Sequence, residues 1–415
     1  MPLSGADERP PGMLGWGDLH PHVTGPRQAS GNCQGDDAER RSLRTCNALP
    51  REYPGSELIA ACRWVGGFLV PSDVRVLPGV EAMQNEWPSF SIVPESDEVA
   101  DARPRGQALS QFVWFNGEIR KTENQTVHFY SHALHYGTAV FEGIRCYPTS
   151  EGPVLFRLRD HIDRLLSSAR LYGMKVGFDA EALSEACIDV TRKNGITDGY
   201  LRPLAYFGEG PIDLRPKRGC PVHTFIAVRQ LGTFLGQGAL RNGVRVTISS
   251  WRKTHHTMQP TMAKASGHYA SAVLAAHEAM DRGYDDAILL NGDGTVSAAT
   301  GQNIFFVSKG RLITNDETSS IVPGITRDSI LQIAREDLNI PIEVRAFTRE
   351  DLLRADEVFM TGTAAEVTPV RQLDGCDYKT GRNTLGARLQ VAYLEAATGK
   401  TAHRRSWLSS VASEA

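Results

Sequence analysis

From Gln111 onward the chain alternates short apolar runs with turn-forming residues, a texture that is absent upstream. Phe112-Val113-Trp114-Phe115, Asn116-Gly117 and Glu118-Ile119-Arg120 spell a strand, a two-residue type I′ turn and a strand. Asp160 predicts the cap of a helix running through Ile162, Leu165, Leu166 and Ala169. Ala182, Ala186, Ile188 and Val190 predict a second helix that stops before Asn194-Gly195. Strands are predicted at 154–156, 200–207 and 223–228. Leu235-Gly236-Gln237-Gly238 follows as a small, turn-prone linker. Beyond it the pattern predicts a strand at 244–249, a helix at 269–280 and a meander turned first at Asn291-Gly292-Asp293-Gly294. Ile304 to Val307, turned at Lys309-Gly310, continues that meander. A helix after Thr326, strands at 342–345 and 357–360 and a last helix at 385–396 complete it.

Helices and strands in this order predict a mixed α/β fold of the α+β type. The division expected is a low-order, proline-rich tail at 1–110, a small α/β domain at 111–235 and a larger domain at 236–410. Twelve of the 22 prolines fall in the first 110 residues, where the one apolar stretch, 58–70, predicts a small packed patch.

Charge and composition narrow the function. Forty-five Lys and Arg against 48 Asp and Glu leave a net charge of -3 with no long basic run, which argues against nucleic acid as a partner. No apolar run reaches the roughly 18 residues of a spanning helix, and no secretory signal is visible, so the cytoplasm is the expected compartment. Cys33, Cys46, Cys62, Cys146, Cys187, Cys220 and Cys376 are odd in number and form no CxxC pair, which favours reduced thiols over disulfides or a zinc ribbon. His132, His135, His255 and His256 have no cysteine or carboxylate at ligand spacing, so no metal site is expected.

Lys264 stands in Thr261-Met262-Ala263-Lys264-Ala265-Ser266-Gly267. Small neighbours permit close approach of a ligand, and a lysine held among them loses hydration, which lowers its pKa and makes its amine a nucleophile toward a carbonyl. On this segment alone, a surface lysine ahead of a helix is the commoner meaning. Val322-Pro323-Gly324-Ile325-Thr326 leads into a helix, and Thr361-Gly362-Thr363-Ala364-Ala365 follows a strand. Both offer backbone N–H donors to an anion, or plain helix capping. Tyr200 and Arg202 share one face of a strand, as a carboxylate reader or as a surface pair would.

Ser131-His132-Ala133-Leu134-His135-Tyr136-Gly137-Thr138-Ala139-Val140-Phe141-Glu142-Gly143-Ile144-Arg145, the Lys264 segment, Pro323-Gly324-Ile325-Thr326-Arg327-Asp328 and Gly362-Thr363-Ala364-Ala365-Glu366 together resemble the branched-chain amino acid aminotransferases, fold type IV enzymes that use pyridoxal 5'-phosphate. The resemblance runs with nearly constant spacing from about Phe112 to Leu408. It implies a homodimer or larger assembly of two-domain subunits, with the cofactor between the domains, serving branched-chain amino acid biosynthesis. By resemblance, Lys264 forms the Schiff base and shuttles the proton, Arg164, Ile325, Thr326 and Thr363 hold the phosphate, and Tyr269 lies near the ring oxygen. Tyr200, Arg202, Thr363 and Ala364 would surround the substrate carboxylate. Tyr136, Phe141 and Gly143 would line the side-chain pocket, joined by Leu214 of a neighbouring subunit. The pocket that Phe141, Ile212 and Leu214 would form is apolar and suits leucine, isoleucine or valine, while the γ-carboxylate of glutamate would sit near Arg145 or Tyr136.

One position departs from the pattern. Where the family carries a glutamate that keeps the pyridine nitrogen protonated, alignment on Gly301 and Asn303 puts Ala298. A methyl group holds no proton, so the ring is expected to be a weaker electron acceptor. Leu231 and Phe234 likewise stand where the family commonly has Trp and Tyr. The leading expectation is transamination of branched-chain amino acids with 2-oxoglutarate. The alternatives are elimination or replacement on the same cofactor, or a non-catalytic relative that keeps the fold.

Overall fold

The computed structural model describes residues 110–231 and 238–412, together with two strands upstream. Those two, β1 (Cys62–Val65) and β2 (Phe68–Pro71), form an antiparallel hairpin within a compact unit spanning Met1–Ser96. They fall in the apolar stretch singled out above. The rest of the expected tail lies outside the described residues, as does most of the linker before Gly238.

The second unit, Asp97–Ala415, is built on two sheets. The first begins with β3 (Phe112–Phe115) and β4 (Glu118–Lys121), joined through Asn116 and Gly117 at φ 47° and 101°, the positive values a type I′ turn requires. After α1 (His132–Tyr136) come β5 (Ala139–Phe141), β6 (Ile144–Thr149) and β7 (Gly152–Phe156). Two helices follow, α2 (Leu158–Leu171) and α3 (Ala180–Lys193), then β8 (Gly199–Phe207) and β9 (Val222–Gln230). Ile162, Leu165, Leu183 and Val190 of the helices are fully buried in one core with Ile144, Leu155 and Leu201 of the sheet. α3 starts where Asp179 accepts a hydrogen bond from the Ala182 amide at 2.9 Å. α2 does not start at Asp160. Arg157 caps it in the left-handed region, and Asp160, one turn in, accepts from Arg157 Nε at 2.5 Å.

α4 (Ala239–Asn242) opens the second half, followed by β10 (Val244–Arg252), α5 (Ala270–Asp281), β11 (Asp286–Leu290), β12 (Val296–Ala299), β13 (Asn303–Ser308) and β14 (Arg311–Thr314). Next are α6 (Ile325–Gln332), β15 (Ile342–Val344), α7 (Arg349–Leu353), β16 (Glu357–Gly362), β17 (Glu366–Leu373), β18 (Cys376–Asp377) and α8 (Leu385–Ala397). The strand order is β12-β11-β10-β17-β16-β13-β14-β15, with β18 beside β17. The expected meander is therefore broken: β13 pairs with β14 and β16, not with β12. Five inter-strand steps would separate β12 from β13 by about 24 Å in a flat sheet. The link between them, Thr300 to Gln302, reaches at most about 14 Å from one Cα end to the other, so the sheet curls until its edge meets β13. The last strand, β19 (Leu408–Ser410), returns to the first sheet and pairs antiparallel with β7.

β17 was not legible as a strand because Pro369 interrupts it, and proline gives no ladder donor. It is nevertheless central, parallel to β10 and antiparallel to β16.

Candidate active site

A cavity of about 730 Å³ opens among α2, β8, the Lys264 segment, the N-terminus of α6 and the turn after β16. The Lys264 segment is fixed by its backbone. Its carbonyl accepts from the Phe141 amide at 3.0 Å, and its own amide donates to Ser168 Oγ at 3.1 Å. Ala263 and Ala265 are wholly buried in the first core, so the small neighbours serve packing as much as ligand access. Gly267 donates to the Gly137 carbonyl at 3.1 Å, and a Cβ on Gly137, at φ 65°, would stand 2.9 Å from Gly267 Cα. The side chain of Lys264 is thereby aimed into the cavity, where its Nζ donates to Tyr269 Oη at 2.6 Å.

Arg164 reaches the cavity from α2. It is held by Glu142, which accepts from its Nε at 2.7 Å and its Nη2 at 2.9 Å, and by the Pro323 carbonyl, 2.6 Å from Nη1. Glu142 is wholly buried and also accepts from His161 Nδ1 at 2.7 Å. Burial alone would raise the Glu142 pKa, but Arg164 and His161 hold its carboxyl far below the usual range. Burial outweighs Glu142 at His161 and lowers its pKa, so His161 gives a hydrogen bond rather than a charge. Glu142→Gln would leave Arg164 without its counter-charge and cost about 3 kcal/mol of stability. Denaturant unfolding, together with weaker binding of inorganic phosphate, checks this outcome.

At the far end, α6 begins at Gly324 without a side-chain cap, so the first amides of the helix, Ile325 and Thr326, face the cavity free of a capping oxygen. A Cβ on Gly324 would overlap Asn303 Oδ1, whose own amide donates to the Val322 carbonyl at 3.1 Å. On the opposite side, Arg202 lies 4.5 Å above the Phe141 ring and donates to Tyr200 Oη at 3.1 Å. Tyr200 Oη occupies the space a Cβ on Gly143 would need.

Arg202 Nε and Thr361 Oγ1, both buried in the cavity lining, lack a hydrogen-bond partner. Among the described residues, the lining contains Arg164, Arg202, Arg229, Lys253 and Lys264 and no Asp or Glu. A phosphorylated aldehyde fits these donors, with its phosphate at Arg164 and α6 and its carbonyl at Lys264. The fit is poorer on the wall at 298–302. There Ala298 presents a methyl group, and the carboxylate of Asp286, which is not among the lining residues, accepts from Thr300 Oγ1 at 2.7 Å. Burial raises its pKa against those hydrogen bonds.

Of the residues singled out in the sequence, Lys264, Arg164, Tyr269, Ile325, Thr326, Thr363, Phe141, Gly143, Tyr200, Arg202 and Ala364 all line the cavity. Tyr136, Arg145 and Leu214 do not. Arg145 is buried beside Asp198, at 3.3 Å, and Glu366, at 4.0 Å. Tyr136 packs on His132, and Leu214 is 76 % exposed. Sequence reasoning passed over Glu142, although a carboxylate between Phe141 and Gly143 in an apolar run was a usable signal. It also passed over Lys253, which has no such signal in the sequence.

Residues 139–373 match the amino-transferase class IV family. The chain is similar to the branched-chain-amino-acid aminotransferase of Escherichia coli K12, 44% identical over 303 residues that make up 73% of this chain and 98% of that one. The enzyme of the same name from Pseudomonas aeruginosa is 38% identical over 71% of this chain and 95% of its own. Among solved structures, the Escherichia coli branched-chain amino acid aminotransferase superposes with a TM-score of 0.70 at 43% identity, covering 73% of this chain and all of its own. The branched-chain amino acid aminotransferase from Thermobaculum terrenum, in its PLP-bound holo-form, gives 0.69 at 35% identity, over 74% of this chain and 99% of its own.

Proposed function

The chain belongs to the class IV amino-transferases, in their branched-chain group, and we propose that it exchanges the amino group of leucine, isoleucine or valine with 2-oxoglutarate. One observation carries this reading: Lys264, an uncapped helix N-terminus and a lining rich in Arg and Lys meet in one cavity. Bound there, pyridoxal 5'-phosphate supplies the carbonyl that carries the amino group between substrates. Arg164, Thr363 and the amides of Ile325 and Thr326 hold the phosphate. Lys264 Nζ takes the proton from the substrate carbon and returns it, and Tyr269 keeps that amine in place. Arg202 and Tyr200 receive a carboxylate, with Thr363 and Ala364 beside it, while Phe141 and Gly143 shape an apolar slot. Arg202, which lines the cavity as Arg145 does not, is better placed for the γ-carboxylate of glutamate.

We also read 111–235 and 236–410 as two domains, a division supported by the strands of the two sheets, with β19 as the exception. A homodimer is supported by exposed Phe129, Tyr130, Leu134, Ile212 and Leu214, whose two segments are joined by a hydrogen bond between His132 Nε2 of α1 and the Asp213 carbonyl at 2.9 Å. Tyr136 and Leu214 would act at that interface. No helix among the described residues is long and apolar enough to cross a membrane. A cytoplasmic site is supported by the unbonded thiols of Cys146, Cys187, Cys220 and Cys376.

The test is incubation of the loaded full chain with each branched-chain amino acid and 2-oxoglutarate. Glutamate and the matching 2-oxo acid should form in equal amounts. Ala298 favours one second reading, elimination or replacement on an amino acid, in which ammonia or an exchanged product appears and no glutamate does.

A further inference from the structure

We propose that Tyr269 is the base that frees the amine of Lys264, and that Lys253 is the positioning residue that eases the ionisation of Tyr269. Tyr269 Oη is 2.6 Å from Lys264 Nζ, and the ammonium groups of Lys264 and Lys253 lie 5.1 and 5.9 Å from the centre of the Tyr269 ring. Lys253 directly follows β10, its amide bonded to the Leu290 carbonyl at 2.9 Å, and its side chain lines the cavity. Among the described residues, no carboxylate lines the cavity and the side chain of Lys253 makes no ion pair. The side-chain nitrogens of two lysines therefore lie beside one phenol.

The charged groups around Tyr269 are Lys264 on its own segment, Lys253 at the end of β10 and Arg164 on α2, while Phe141 of β5 covers the ring at 5.0 Å without charge. Arg164 is already matched by Glu142. Loss of the phenolic proton to solvent relieves the remaining excess, because it puts an anion beside Lys264 and near Lys253. The shift of Tyr269 runs the same way: burial alone would raise its pKa, but Lys264, then Lys253 and Arg164, bring it below the ordinary phenol value. Burial lowers Lys253 in turn, with Tyr269 opposing and Lys264 adding to the shift.

The consequence is a proton exchange within the chain. A lone pair of the Tyr269 oxygen forms the new O–H bond, and the electrons of the broken N–H bond stay on Lys264 Nζ as the lone pair that attacks a carbonyl. No oxidant or further reactant is needed. The carbonyl's identity rests on the function proposed above, whereas the ionisation of Tyr269 does not.

The experiment is a spectrophotometric titration of tyrosinate in the full chain freed of cofactor. One tyrosine should ionise ahead of the rest. That early phase should vanish in Tyr269→Phe, stay in Lys253→Arg, and move up in Lys253→Met by roughly 10- to 100-fold in the ionisation constant. Capture of added pyridoxal phosphate by Lys264 should slow on the order of 10²-fold in Tyr269→Phe. An early phase that is missing in the parent, persists in Tyr269→Phe or stays put in Lys253→Met overturns the proposal, as does capture by Tyr269→Phe at the parental rate. Neither measurement uses an amino acid, so failure here leaves the transamination reading standing. Loss of glutamate formation with the titration intact strikes that reading instead.

Discussion

Lys264→Ala removes the visible absorbance of bound pyridoxal phosphate and lowers amino transfer by about 10⁴-fold or more, since one amine both holds the carbonyl and moves the proton. Lys253 also lines the cavity, but only Lys264 lies within hydrogen-bond reach of Tyr269, and only its segment is pinned to both Phe141 and Ser168. Alanine is the natural choice of replacement, because Ala263 and Ala265 already pack the same backbone at zero exposure. The fold should therefore persist, with phosphate still bound at Arg164 and α6. The check is absorbance with added cofactor, followed by single-turnover reaction with leucine. A variant that transaminates leucine near the parental rate would mean the reacting amine lies elsewhere.

Ala298→Glu should raise the rate of leucine transamination by up to about 10² to 10³, the usual worth of one preorganised group that stabilises charge appearing only during reaction. The gain depends on the wall at 298–302. Asp286 is bonded to Thr300 of that wall and burial raises its pKa, which eases its protonation when a second carboxylate is added there. Ala298 is 7 % exposed, which leaves a narrow way for a longer side chain, and crowding sets the lower end of the range. Parent and variant are compared in single turnovers at equal cofactor saturation and pH. An unchanged rate with normal binding would show that residue 298 does not face the ring nitrogen.

The local elements were legible because each announces itself within a few residues. The Asn116-Gly117 turn and the Asn194-Gly195 stop depend on near neighbours, whereas the cap expected at Asp160 falls three residues earlier, at Arg157, and the Asp179 cap was passed over. What escaped depends on distant ones. Whether β13 continues from β12 is decided by β16, more than 50 positions on, and a proline in β17 hides a strand that two others flank. The same division holds in the cavity. Lys264 stands out once its segment is taken together with the other motifs along the chain, but Glu142 matters only because α2 brings Arg164 and His161 against it, and Lys253 only because β10 ends beside Tyr269. Arg145 shows the reverse case, a residue in a strong motif whose side chain turns toward Asp198 and Glu366.

The return of β19 to β7 bears on how the protein is made. During synthesis β7 leaves the ribosome long before Leu408, and the entire second sheet is translated while the β7 edge has no partner. Nascent chains thus carry an open strand edge for most of their elongation time, the kind of edge that recruits other strands. Docking of β19 brings with it the Trp407 carbonyl on the Arg157 amide at 2.6 Å and the Val411 amide on the Pro153 carbonyl at 2.9 Å. Ribosomes stalled before residue 408 should therefore display chains that a trigger-type holding chaperone captures, and release of that chaperone should coincide with emergence of the last strand.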